Sequence, residues 1–173
     1  MAREGERILQ DFLVHLDLVP KKIKEGDKKN PDYEIYKDGK LIFYAEEKTL
    51  DYDDFQGIKN DSARNKISTH IHKAVKQFKS VNPEHILPNV LIFNNFDTLL
   101  NPNDLFITLT GKGMLEDGGF INLYTDVGRI KDDLEYIDLY LWFNQGTFSS
   151  VFWSEINKEH DIVLKSAFGN LKK

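Results

Sequence analysis

The chain has 173 residues, room for one domain whose core needs no covalent staples, and its lack of cysteine excludes both a disulfide framework and a thiolate metal site. A formal charge of -5 argues against strong non-specific binding of nucleic acid, because lysine and arginine at phosphates supply most of that affinity. No stretch reaches the ~18 consecutive apolar residues of a membrane span, and the first residues lack the apolar run of a signal peptide, so the expectation is a cytoplasmic protein without a membrane partner.

Ile8, Leu9, Phe12, Leu13 and Leu16 recur at helical spacing, which predicts an amphipathic helix over Arg3 to Leu18, ended before Pro20. A polar connector follows, rich in lysine at Lys21, Lys22, Lys24, Lys28 and Lys29. Tyr33 to Tyr36 and Leu41 to Lys48 read as strands joined at Asp38-Gly39, a hairpin signal. Asp51 to Asp61 is acidic and irregular, and Ile67, Ile71, Ala74, Val75 and Phe78 then mark a helix over Ala63 to Ser80. Beyond Pro83 the chain turns to strand-like runs at Asn89 to Asn94, Leu105 to Thr110, Phe120 to Tyr124, Ile137 to Phe143 and Ser149 to Trp153. Val90-Leu91-Ile92-Phe93 is continuous, as in a strand covered on both faces. Asp161 to Phe168 fits either a short helix or a strand. Helix, hairpin, helix and strands in that order predict a single α/β domain with a mixed sheet and helices on its faces.

Pro31-Asp32 is followed, fourteen positions after the aspartate, by Glu46-Glu47-Lys48. Phosphodiester hydrolysis needs a divalent ion on carboxylate oxygens and a cation near the developing charge, and these residue types offer both. Side chains alternate along a strand, so Glu46 and Lys48 share one face while Glu47 joins Phe43 and Ala45 on the other. Asp32 reaches the Glu46 face only if the hairpin loop holds an odd number of residues or a bulge intervenes; a three-residue loop, Lys37-Asp38-Gly39, is the expectation.

Pro31-Asp32, Glu46 and Lys48 together resemble the signature of the PD-(D/E)XK nuclease superfamily, and the layout of the first half of the chain is similar as well. The resemblance implies a restriction-endonuclease-like fold over residues 1–173, with Asp32 and Glu46 binding Mg²⁺ or Mn²⁺ and Lys48 orienting the attacking water. Glu6-Arg7-Ile8-Leu9 is similar to the first helix of Holliday-junction resolvases, which makes Glu6, ahead of Glu4, a third metal ligand. A glutamine or basic residue on the next helix is frequent in the family, and Gln77 and Lys73 occupy that place. The implied substrate is DNA and no organic cofactor is expected; a homodimer stays open, since members often dimerise.

Other features carry blander readings. An E-x-K tripeptide is commonly a charged surface strand, and an acid in a helix's first turn is favoured by the macrodipole whatever the function. His70 and His72 do not face one metal, and His15, His85 and His160 stand alone as solvent-exposed residues. Asp51, Asp53 and Asp54 lack the glycine and terminal glutamate of a calcium loop, and Gly111-Lys112-Gly113 and Gly118-Gly119 read as turns. Trp142, Phe143, Phe148, Phe152 and Trp153 read as core or a dimer face before a base-stacking platform. The expected activity is a metal-dependent endonuclease on DNA, with a catalytically inactive interaction or inhibitor protein, or an RNA-cleaving nuclease, as rivals.

Overall fold

A strand with no polar alternation needs cover on both sides, and β4 (Asn89–Asn95), buried at every residue, lies inside a six-stranded sheet. These features come from a computed structural model that describes residues 2–24, 26, 29–51, 62–123, 130–169 and 171. The sheet order is β1-β2-β3-β4-β7-β8, where β1 is Val19–Lys22, β2 Tyr33–Lys37, β3 Lys40–Leu50, β7 Leu139–Asn144 and β8 Thr147–Trp153. β3, β4 and β7 run parallel, and the outer strands pair antiparallel, so the sheet is mixed. β5 (Lys112–Met114) and β6 (Phe120–Asn122) form a separate two-stranded ribbon.

Each face of the sheet has its own apolar core. Helices α1 (Ala2–Val14) and α5 (Lys158–Phe168) cover one face, where Leu9, Leu13, Leu164 and Phe168 pack on Phe43, Ala45, Val90 and Ile92. On the other, α2 (Ser62–Val81) and α3 (Pro102–Thr110) bring Ile67, Ile71, Phe78 and Leu105 onto Leu50, Leu91, Phe93 and Trp142. A single turn, α4 (Lys131–Leu134), precedes β7. The aromatics of the β7–β8 hairpin divide between these cores: Phe143, Phe148 and Trp153 join the first, Trp142 and Phe152 the second.

Three expectations need correction. Leu105 to Thr110 is helix, not strand. Its apolar, partly β-branched composition is outweighed by its ends, where Asn101 accepts from the Asn103 N–H at 2.9 Å, Asp104 accepts from the Asn101 N–H at 2.9 Å, and Pro102 fills the first turn. Gly111, with φ of 66°, closes the helix by donating its N–H to the Ile107 carbonyl at 2.8 Å, so it is a helix cap and Lys112-Gly113 opens a strand. The lysine-rich connector contains β1, whose mostly exposed Val-Pro-Lys-Lys needs no apolar alternation because an edge strand is paired on one side only.

The third correction concerns the β2–β3 hairpin. Lys37 pairs with Lys40 around a two-residue Asp38-Gly39 loop with both φ angles positive, 49° and 76°, rather than the three-residue loop. Ile35 pairs with Phe43 but Tyr36 with Leu41, so Ile42 is the extra residue of a bulge that restores the register the loop alone would lose. Tyr33 therefore faces Ala45, and the next step outward sets Asp32 against Glu46. Asn157 caps α5 by accepting from the Glu159 and His160 N–H groups, which decides Asp161 to Phe168 as helix. Lys28, the acidic stretch 52–61 and Tyr124 lie outside the described residues. Among the described residues no helix is long and apolar enough to cross a membrane. The capping of α3 has a measurable worth: Asn101→Ala is expected to cost about 1 kcal/mol of stability in urea denaturation, against near zero for a strand residue in an exposed position.

Candidate functional site

Asp32 and Glu46 are locked to each other through the backbone. The Asp32 N–H donates to Glu46 Oε2 at 2.9 Å, and the Glu47 N–H donates to Asp32 Oδ2 at 2.8 Å, so each carboxylate is held by the other's strand. Side-chain alternation puts Glu46 and Lys48 on the α2 face, and Lys48 Nζ donates both to Glu46 Oε1 and, at 2.8 Å, to Gln77 Oε1 on α2. Gln77 Nε2 in turn donates to the Asn30 carbonyl at 3.0 Å, which ties the segment before Asp32 to the helix. Four of the residues singled out from the sequence, Asp32, Glu46, Lys48 and Gln77, thus form one hydrogen-bonded chain.

The other two stand apart from that chain. Glu6 Oε2 is paired with Lys22 Nζ on β1 at 2.7 Å, although its charge also reaches Asp32 and helps push that carboxyl up. Lys73 is exposed on α2 and contributes to the field that keeps His70 neutral. Glu4 is exposed.

Electrostatically the site is costly without a cation. Burial is the main cause that pushes Glu46 up to about 8, with the neighbouring Asp32 charge adding to it against Lys48. Asp32 is also raised by burial, despite the Glu47 N–H and Lys48. Glu47, on the opposite face, is raised to about 7, again by burial, while Asn94 and Thr49 oppose the shift as donors. His70, one helical stretch from Gln77, is lowered to about 4 by burial and by Lys48, Lys73 and Lys66, and its Nδ1 is buried with no partner. An imidazole so placed is uncharged at neutral pH.

Several participants were not legible in the sequence. Glu47 reads as a core-facing intruder, yet its Oε1 accepts from Thr49 Oγ1 at 2.8 Å and Asn94 Nδ2 at 3.0 Å, and Asn94 also donates to the Gly5 carbonyl at 3.1 Å. Gly5 permits this approach, because a Cβ there would meet Glu47 Oε1 at 2.6 Å and Thr49 Oγ1 at 2.9 Å. His85 and His160, expected to stand alone and exposed, instead flank Asp138: His85 Nε2 lies 2.7 Å from Oδ2 and His160 Nδ1 2.8 Å from Oδ1. Only the fold brings these three together. His72 is likewise engaged, with Nδ1 2.8 Å from Asp133 Oδ2.

Two outcomes test this geometry. A carboxyl whose folded pKa is raised stabilises fully below its unfolded pKa and loses that contribution as pH rises through the folded value, about 8 for Glu46. Metal-free Glu46→Gln should therefore overtake wild type in stability between pH 5 and 9, by on the order of 1 kcal/mol at the upper end, in urea denaturation at each pH. Alanine in place of a helical glycine usually stabilises by about 1 kcal/mol; Gly5→Ala should reverse that sign and lower the melting temperature, since the new methyl group meets Glu47. No protein-family model, curated protein or solved structure matches this chain, so the site's chemistry is read from its own residues.

Proposed function

We propose that this chain is a metal-dependent nuclease of PD-(D/E)XK type, with a restriction-endonuclease-like fold, hydrolysing phosphodiester bonds in DNA. The observation that carries the reading is the reciprocal Asp32–Glu46 lock with Lys48 on the Glu46 face. The succession of α1, the β2–β3 hairpin, α2 and β4 agrees with the layout expected for that superfamily.

The residues present suit a hard divalent ion. Their donors are carboxylate oxygens, both carboxyls are pushed up by burial, and each raises or is raised by a neighbouring negative charge. Asp32 and Glu46 would hold Mg²⁺ or Mn²⁺, with Glu6 as an additional acid after release from Lys22. Bound there, such an ion supplies Lewis-acid polarisation of the scissile phosphate and lowers the pKa of its water.

The chain's own groups supply the rest. Lys48 Nζ is a fixed cation at the edge of the carboxylates, positioned to orient the attacking water and to offset negative charge as it develops on phosphate oxygen. Gln77 accepts a second hydrogen bond from Lys48, and the Asn30 carbonyl holds Gln77. Lys73, Lys76 and Lys79 on exposed positions of α2, with Lys21, Lys22, Lys24 and Lys29 on the β1 side, give the polyanion a local basic approach despite the chain's charge of -5.

The reading is tested by incubating the chain with supercoiled plasmid, single-stranded DNA, branched DNA and RNA in Mg²⁺ or Mn²⁺. Cleavage of DNA is expected, reduced about 100-fold or more in Glu46→Gln and Lys48→Ala and less in Gln77→Ala. Intact DNA under every metal tried would overturn the activity and favour an interaction protein, for which the net charge of -5 is the supporting observation. Preference for RNA would reassign the substrate.

A further inference from the structure

His85, Asp138 and His160 come from three separate parts of the chain: the loop after α2, the residue before β7, and the first turn of α5. Asp138 and His160 are 1% and 5% exposed, and one donor atom from each of the three lies within 4.8 Å of the others. We propose that these residues form a metal site for a zinc-class divalent ion, separate from the carboxylates around Glu46 and independent of the nuclease reading.

The hydrogen bonds around the cluster argue for this. His160 faces acceptors from both ring nitrogens, Asp138 Oδ1 at Nδ1 and the Ile86 carbonyl at Nε2, 3.2 Å away. A neutral ring donates from one nitrogen alone, so both contacts are met by a second proton on the ring, by a proton on Asp138, or by a cation at Nδ1. With Nε2–H donating to Ile86, the Nδ1 lone pair is left for a metal, which is the outer bond that fixes the tautomer of ligating histidines. Asp138 has equivalent support: the Asn89 N–H donates to Oδ2 at 2.8 Å, and its backbone is anchored by bonds to Asn89 and Ser154. His85 adopts φ of 49°, a left-handed backbone that histidine takes more readily than most side chains, and its ring meets that of His160 edge-on at 4.8 Å.

Two imidazoles and one carboxylate suit zinc and its neighbours rather than Mg²⁺. Bond lengths of about 2.0–2.2 Å in a tetrahedral site need donors about 3.3 Å apart; the two short N–O contacts run to different oxygens of Asp138, and the three donor atoms, all within 4.8 Å of one another, would converge on one ion by side-chain rotation. Three protein ligands leave one position for water on the partly open His85 side. An ion there would staple α5 and the α2–β4 loop to the start of β7.

The test uses the full chain stripped with chelator and titrated with Zn²⁺ by calorimetry and thermal melting. Wild type should bind Zn²⁺, and one equivalent should still bind and raise the melting temperature in an Asp32→Ala, Glu46→Gln double variant whose nuclease site is disabled. Millimolar Mg²⁺ should not raise the melting temperature of that double variant. Affinity should fall about 100-fold or more in His85→Gln and in Asp138→Asn. The double variant loaded with Co²⁺ gives a second readout: of the five histidines, the ring resonances of His85 and His160 should be the ones paramagnetically shifted in NMR. Absence of Zn²⁺ binding by wild type, binding unchanged in His85→Gln, or shifts on other histidines would each overturn the proposal and leave a proton-bridged network.

Discussion

The reciprocal bonds between Asp32 and the Glu46–Glu47 peptide decide where every other group at the site can stand. Each carboxylate accepts a backbone N–H from the opposite strand, which extends the β2–β3 ladder past the Tyr33–Ala45 pair using side chains instead of carbonyls. A side chain bonded to backbone in this way has little rotamer freedom. The arrangement depends on the bulge at Ile42, because the two-residue Asp38-Gly39 loop by itself would put Asp32 on the opposite face from Glu46. Two backbone donors and one lysine do not neutralise carboxylates buried this deeply, and Glu46 stays raised to about 8. Burying these carboxylates in this way costs stability locally.

The sheet separates two environments only one residue apart in sequence. Glu46 and Lys48 meet α2 through Gln77, whereas Glu47 meets α1 through Asn94 and the Gly5 carbonyl. The consequence is that α1 is positioned by polar contacts at its first turn as well as by Leu9 and Leu13 in the core. The location of Glu6 next to Lys22 follows from that anchoring and not from any contact of its own with Glu46.

What could be read from the sequence was whatever depends on local period. Strand alternation gave Glu46 and Lys48 a common face, a continuous apolar run gave β4 its central place, and helical spacing gave α2 its buried stripe and left Gln77 on its flank. Features set by loop geometry or long-range convergence were not legible. An odd loop and a bulge were the two routes to a shared face for Asp32 and Glu46, and the sequence left open which one the chain takes; it takes the bulge. Leu105 to Thr110 carries strand-like residues, and the decisive signal for helix is the Asn-Pro-x-Asp cap ahead of it. His85 and His160 are separated by 75 positions, and only the parallel placement of β4 beside β7 brings Asp138 between them.

β1 is short, carries Pro20, and presents Lys21 and Lys22 to solvent. A proline removes one backbone donor and adjacent lysines repel a second copy of themselves, so this border of the sheet is poorly suited to recruiting another strand. The rim beside the carboxylates is thus closed to strand addition by its own chemistry, and the six-stranded sheet ends at β1 instead of offering a template for another chain.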